Sequence, residues 1–253
     1  MRDRVKWKAA ARIALNGKYG TAIGAMFLIM AVQWAAGLAV EVLVLGGTFA
    51  LAFQDSSALY LGYMAAVMAV SYLVQFGLVY LMLPGYLRVM LQIARREPAK
   101  ASDVFWAFRN RPARFAGIGI AILFLMAVLA APAVLLLLGA AASGQFLFAS
   151  LYLLCYSLLL TVLLLYVQLT FAMFYFLLVQ NPDLGIWQAL MESRRMMRGR
   201  RGRFFVLTLS FLGWTLVGAA TFGIGFLWLG PYMTCTMLQF FLDVQEADAK
   251  TAE

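Results

Sequence analysis

The sequence predicts an all-α polytopic membrane helix bundle: about six transmembrane helices in three hairpins, with basic amphipathic helices on the cytoplasmic side. Three observations carry this. First, 64% of the residues are hydrophobic and 12% charged, against roughly 45–50% and 25% in soluble domains, which is more apolar surface than a soluble core takes up. Second, the apolar residues fall in runs as long as the ~20 residues a helix needs to cross a bilayer. Third, Lys and Arg gather between those runs. The net charge of +9 therefore follows the positive-inside bias of membrane proteins and does not call for a nucleic-acid partner.

Taken in order, residues 1–18 form a basic cytoplasmic amphipathic arm with Arg2, Arg4, Lys6, Lys8, Arg12 and Lys18. Val5, Ala9 and Ile13 recur at helical spacing, Trp7 is expected at headgroup level, and Asn16-Gly17 marks a helix stop. The basic region and the apolar run after it are both too long for a cleavable signal peptide. Residues 19–244 are the six-span domain, with spans at about 19–45, 59–91, 115–139, 147–179, 204–220 and 224–243. Glu41 falls near the outer end of the first span, and the first external loop, 46–58, carries Asp55. Pro84 removes a backbone donor inside the second span and predicts a kink. Pro231 does the same in the sixth, and Arg88 snorkels to the cytoplasmic side.

The cytoplasmic loop 92–114 is expected to hold a short helix capped by Ser102 or Asp103. It carries Val104, Phe105, Trp106 and Phe108 beside Arg109 and Arg111, and Pro112 ends it. Span three contains Pro132, and an uncharged external turn, 140–146, leads to span four. In the second cytoplasmic loop, 180–203, Asn181 is the expected N-cap, Pro182 the first helical residue and Asp183 the acid favoured at a helix start. That helix runs to Arg198 and stops at Gly199. Its apolar arc, Leu184, Trp187, Leu190, Met191 and Met197, is interrupted by Arg194. The outer turn 221–225 joins the last two spans, and the tail 245–253 is polar and expected to be disordered.

This assignment puts every Lys and Arg on one side, so both termini are expected in the cytoplasm. It also exposes a loose repeat. Basic amphipathic segments around Trp7, Trp106 and Trp187 each precede a hairpin and end at Asn16-Gly17-Lys18, Asn110-Arg111-Pro112 and Gly199-Arg200-Arg201. Leu83-Pro84-Gly85-Tyr86 echoes Leu229-Gly230-Pro231-Tyr232.

A resemblance lies in Asn181-Pro182-Asp183, Ala189-Leu190, Ser193-Arg194, Met197, Gly199, Phe204, 209–214 (Leu-Ser-Phe-Leu-Gly-Trp), Gly223-Ile224-Gly225, Leu227-Trp228-Leu229 and Pro231-Tyr232. It extends to Ala14-Leu15-Asn16-Gly17-Lys18-Tyr19-Gly20, and to Asp103-Val104-Phe105 with Phe108. On these residues the chain resembles the bacterial integral membrane family called domain of unknown function 975. Trp-Gly is more usual there than the Tyr19-Gly20 found here. The resemblance implies a topology and a bacterial cytoplasmic membrane, and no reaction.

The chemistry points away from catalysis. There is no histidine, which removes the commonest acid-base catalyst and the commonest transition-metal ligand. Cys155 and Cys235 lie in apolar runs, where neither a disulfide nor a metal site is expected. No glycine-rich phosphate loop precedes Lys-Ser or Lys-Thr. No catalytic residue, metal site or cofactor is therefore predicted. Ionisable residues deep in the spans, the mark of coupled transport, are missing as well.

The leading expectation is a non-catalytic protein that organises lipids or binds a membrane partner. A small permease or channel-like subunit for a neutral or weakly polar solute is the alternative, and a membrane enzyme is third. Six arginines, Arg194, Arg195, Arg198, Arg200, Arg201 and Arg203, with Trp187 and Trp106, form the expected contact with anionic phospholipids. A membrane-protein partner or homo-oligomer is allowed. Polar stripes, Gln75 on span two, Ser157, Thr161 and Gln168 on span four, and Tyr232, Thr236 and Gln239 on span six, are expected to face the bundle interior. An amide turned into hydrocarbon would lack hydrogen-bond partners.

Overall fold

The computed structural model describes residues 2–51, 57–143 and 146–250. These residues are helical almost throughout, with eleven α-helices and no strand among them. In order they are α1 (Arg2–Leu15), α2 (Tyr19–Leu51), α3 (Ser57–Ala94), α4 (Trp106–Arg109), α5 (Pro112–Ser143), α6 (Phe146–Thr170), α7 (Phe174–Gln180), α8 (Ile186–Met197), α9 (Arg201–Leu209), α10 (Leu212–Ala220) and α11 (Phe226–Lys250). A 3₁₀ turn, Ala101–Phe105, precedes α4. Asp55 lies outside the described residues.

Five stretches are long and apolar enough to cross a membrane: Tyr19–Ala50, Ala58–Ala94, Pro112–Ala140, Leu147–Gln180 and Arg201–Ala220. The stretch at α11 is not among them, because Gly230, Tyr232, Thr236, Gln239 and Asp243 dilute its apolar residues. Two of the five are interrupted. The fourth turns at Phe171–Met173 between α6 and α7, and the fifth at Ser210 and Phe211 between α9 and α10. Neither interruption contains proline, which is why both were expected as continuous spans. At the C-terminus the expected disordered tail gives way to helix, since α11 runs on to Lys250. The Lys250–Glu246 pair, 2.7 Å apart and one turn apart, supports that end.

Contacts divide the chain into two compact units, Ala14–Ile120 and Met1–Ile13 with Ala121–Glu253. In the first, α2 and α3 lie side by side. Gln75 donates from Nε2 to the Gln33 carbonyl across them at 3.4 Å, facing Gly37. The buried residues of α3 gather in its last third, with Met82, Val89, Met90 and Ile93 fully covered, whereas Leu61, Met68, Tyr72 and Leu73 are exposed. Gly85 explains part of this. A Cβ there would collide with the Val104 backbone, so the 3₁₀ turn reaches the α3 axis only because residue 85 is glycine. Lys18 Nζ, donating to the Glu97 carbonyl at 2.6 Å, closes the same end. Pro112 does not end the short helix; it is the first residue of α5, where its missing N–H costs nothing.

In the second unit α1 lies against α11. Trp7 and Phe240 meet edge to face at 4.9 Å, and the Cys235 thiol points at the Ala11 carbonyl. Trp7 is therefore 6% exposed and does not sit at a headgroup boundary as expected. Phe211, Leu238, Phe240 and Phe241 complete a core on this side. Tyr156 of α6 donates to the Leu129 carbonyl of α5. Elsewhere the long helices stay bare: none of the most apolar window of α5 is buried. An apolar surface of that extent is stable only against lipid or another apolar partner.

Three junctions share one backbone device. Gly17, Arg111 and Gly199 have φ of 72°, 56° and 75°, and each separates a basic segment from a stretch of membrane-crossing length. A left-handed residue just past a helix end stops it and turns the chain.

Candidate functional site

The basic region around α8 is assembled by two turns. The Asn181 carbonyl accepts the Leu184 N–H at 3.1 Å, closing a β-turn with Pro182 in the second position, which suits that ring. Asn-Pro-Asp thus makes a turn here and not a helix cap, and α8 begins at Ile186, later than expected. Gln188 Oε1 accepts the Gly185 N–H at 3.0 Å and serves the helix start instead. At the other end Arg198 has φ −64° and ψ 124°, and the Met197 carbonyl accepts the Arg200 N–H at 3.1 Å. With Gly199 at positive φ, this is a type II turn, which favours glycine at that position. The helix stop at Gly199 is as expected.

Between the turns α8 has two working faces. Ala189, Ser193, Met196 and Met197 are buried. Trp187, Met191, Arg194 and Arg198 recur at spacings of four, three and four, so they share the opposite side, and all four are exposed. Trp187 is 70% exposed. The expected single apolar arc is therefore split: Met197 turns inward, while Trp187 and Met191 stand outward among arginines. Arg194 does not interrupt an arc; it belongs to this second, mixed face.

In the sequence Ser193 stands out only within the Ser193-Arg194 pair, and its role comes from the fold. Fully buried, its Oγ accepts the Met173 N–H at 3.2 Å and lies 3.5 Å from the Thr170 carbonyl. These are the backbone groups freed where α6 breaks into α7. A hydroxyl from α8 thus supplies what the interrupted helix lost.

The six arginines do not act alike. Arg195 pairs with Glu192 at 2.9 Å on the surface. Arg200 donates to Asp248 at 2.5 Å and to the Met196 carbonyl at 3.1 Å. The Asp248 carboxylate holds the Arg200 guanidinium above its usual pKa, against the effect of burial and with help from Asp243. Arg201 donates to the Tyr166 hydroxyl at 3.2 Å, with its guanidinium 4.9 Å from the ring centre. Arg194, Arg198 and Arg203 are exposed and form no ion pair among the described residues. Asp248 and Tyr166 were missed in the sequence, one because it lay in a supposed tail, the other because it looked like one more apolar-span aromatic.

On α1, Lys8 donates to the Ser210 carbonyl at 3.3 Å and lies 4.2 Å from the Phe211 ring centre. It thereby caps the break between α9 and α10. Burial depresses its pKa, and Arg4 and Arg12 depress it further. In the other unit Trp106 is half-buried and carries the Arg88 guanidinium 4.7 Å from its ring centre, so it serves as a clamp on α3.

The polar stripes fall into two groups. Thr236 is buried and donates to the Tyr232 carbonyl at 2.7 Å, while Tyr232, Gln239 and Gln75 are half-buried. Ser157, Thr161 and Gln168 on α6 are exposed, and the first two donate to their own helix, at 2.9 and 2.8 Å. Within one chain that α6 stripe lines no interior. Gln168 lies within a turn of Tyr166, which holds Arg201, so it stands level with the basic junction. Pro84 and Pro231 are both buried within their helices. No three His, Cys, Asp or Glu residues converge as metal ligands among the described residues.

An all-helical chain with five membrane-length apolar stretches and basic amphipathic helices at their junctions is the class that fold and site define. The chain belongs to the family described as "Protein of unknown function (DUF975)", whose profile matches residues 1–248. No curated protein and no solved structure matches it.

Proposed function

We propose that this chain is a multi-pass protein of the bacterial cytoplasmic membrane with six spans in three hairpins and both termini in the cytoplasm. Its role is non-catalytic: it binds anionic phospholipid headgroups along its basic face and so organises lipid or a membrane-protein partner, a second copy included. It uses no cofactor. The observation that carries this reading is the outward face of α8. Trp187 and Met191 beside Arg194 and Arg198 match a boundary between hydrocarbon and anionic headgroups, while the inward face anchors the helix to the rest of the unit. The α11 stretch, Phe226–Lys250, serves as the sixth span, held to the rest of its unit by Leu238, Phe240 and Phe241.

The test replaces Arg194 and Arg198 together by Gln in the full-length protein. Retained anionic lipid is then read by native mass spectrometry after gentle extraction. The same variant, in a Cys155→Ser background, receives single cysteines at Ser57, Ile224, Ala101 or Arg195. An impermeant reagent applied from outside should label the first two and spare the last two. Lower anionic-lipid retention with unchanged labelling supports the reading. Unchanged retention leaves the arginines a purely topological role and overturns the lipid-binding function.

A further inference from the structure

A groove large enough for a lipid headgroup lies away from the outward face of α8. Between α1 and the first turn of α9 is a groove of about 290 Å³, lined by Asp3, Arg4, Trp7, Gly202, Arg203 and Val206. Its chemistry is unusual for a chain of net charge +9, because it sets a carboxylate beside two guanidinium groups. Asp3 forms an ion pair with neither arginine among the described residues.

The floor favours an anion. No side chain caps the start of α9, so its first-turn N–H groups lack helical acceptors and carry the positive end of the helix dipole. Gly202, in that turn, has open space where a Cβ would stand, which leaves the backbone uncovered. The remaining wall is apolar. Trp7 is held by Phe240, Val206 lines the groove, and Leu209, three residues further along α9 and outside the groove, is exposed as Val206 is.

We propose that this groove binds the headgroup of an aminophospholipid. Arg4, Arg203 and the first-turn N–H groups of α9 take the phosphate, since guanidinium pairs suit phosphate oxygens. Asp3 accepts hydrogen bonds from the primary ammonium, and the acyl chains leave past Val206 and Leu209. The two signs of charge in the groove then select an ethanolamine-type headgroup. A glycerol headgroup gives Asp3 no cation, and a choline headgroup gives it no N–H donor. This goes beyond the reading built on Arg194 and Arg198, and concerns other residues and another lipid class.

The experiment presents the full-length protein with equal amounts of phosphatidylethanolamine, phosphatidylglycerol and phosphatidylcholine in mixed micelles and reads bound lipid by native mass spectrometry. Phosphatidylethanolamine should be retained about fivefold over phosphatidylcholine, the scale of one partly exposed charge contact. Asp3→Asn should erase that preference, Asp3→Glu should keep it, and Arg203→Gln should weaken phosphatidylethanolamine and phosphatidylcholine together, whereas phosphatidylglycerol held at the α8 face is retained. Glycerophosphoethanolamine, a headgroup without acyl chains, should compete only at far higher concentration. Competition at lipid-like concentration would make the ligand a soluble phosphoamine and overturn the lipid assignment. Equal retention of the three lipids by the unaltered protein, or a preference that survives Asp3→Asn, overturns the site. Neither result depends on the Arg194 and Arg198 variant, so this groove and the α8 face fail separately.

Discussion

Helices α1 and α8 use one pattern to opposite effect. Each is a basic helix that ends at a left-handed glycine and leads into a long apolar stretch. Their buried residues keep the same register: Trp7, Ala11, Ala14 and Leu15 before Gly17 correspond to Ala189, Ser193, Met196 and Met197 before Gly199. In that register the counterpart of Trp7 is Ala189, and the counterpart of Trp187 is Val5, which is itself exposed. The two tryptophans therefore stand on opposite faces. A shift of two helical positions rotates a side chain by roughly 200°, enough to turn a boundary anchor into a core residue. Matching the segments by their tryptophans, as composition invites, aligns the wrong faces; matching them by the terminal glycine aligns the right ones.

The sharpest way to break this comparison is Trp7→Ala. Trp7 joins α1 to Phe240 of α11, and truncating a buried tryptophan costs about 3–5 kcal/mol, with the edge-to-face contact included. Thermal unfolding of the full chain in detergent should show the largest loss of any substitution in α1 or α8. A loss no greater than that of Val5→Ala would mean α1 is not anchored through this face.

Next in size is Ser193→Ala. Ala11, its counterpart, needs no hydroxyl because α1 faces no broken helix at that position. Ser193 faces the gap between α6 and α7, and its removal leaves the Met173 N–H without an acceptor. The cost should be about 1–2 kcal/mol. Faster amide hydrogen exchange at residues 171–174 should localise it, whereas an unchanged exchange rate there would show that another group serves the break.

Much of the fold was legible in composition and charge. The long apolar stretches start and stop near where the runs do, and the stops at Gly17 and Gly199 follow from glycine at a basic junction. What was not legible depended on contacts made far along the chain. The breaks at Phe171–Met173 and Ser210 are stabilised by Ser193 and Lys8, which are remote in sequence, so no local breaker marks them. Asn-Pro-Asp at 181–183 fits a helix start and a β-turn equally well by residue type, and only the Leu184 hydrogen bond decides. The end of α11 looked like a tail because its residues are polar. The partner of Asp248, Arg200, sits in the turn between α8 and α9. Of the arginine cluster, the sequence supplied the charges but not their division into paired and outward-facing groups.

The smallest effect on stability, and the most direct sharpening of the comparison, is expected from Trp187→Ala. With 70% of its surface uncovered, the side chain makes little packing contact within the chain, so unfolding should shift by no more than about 0.5 kcal/mol, as for ordinary surface positions. Its loss should be felt in lipid instead. Indole fluorescence at position 187, isolated by changing the other tryptophans to Phe one at a time while folding is monitored, should shift to the blue and be quenched by brominated acyl chains in bilayers. At position 7 the emission should be blue already in detergent, and insensitive to bromine, because Phe240 and not lipid surrounds it. If the two positions respond alike, their opposite placement is wrong. If only Trp187 senses the bromine, then one helix of the matched pair is built to hold the protein together and the other to hold the membrane.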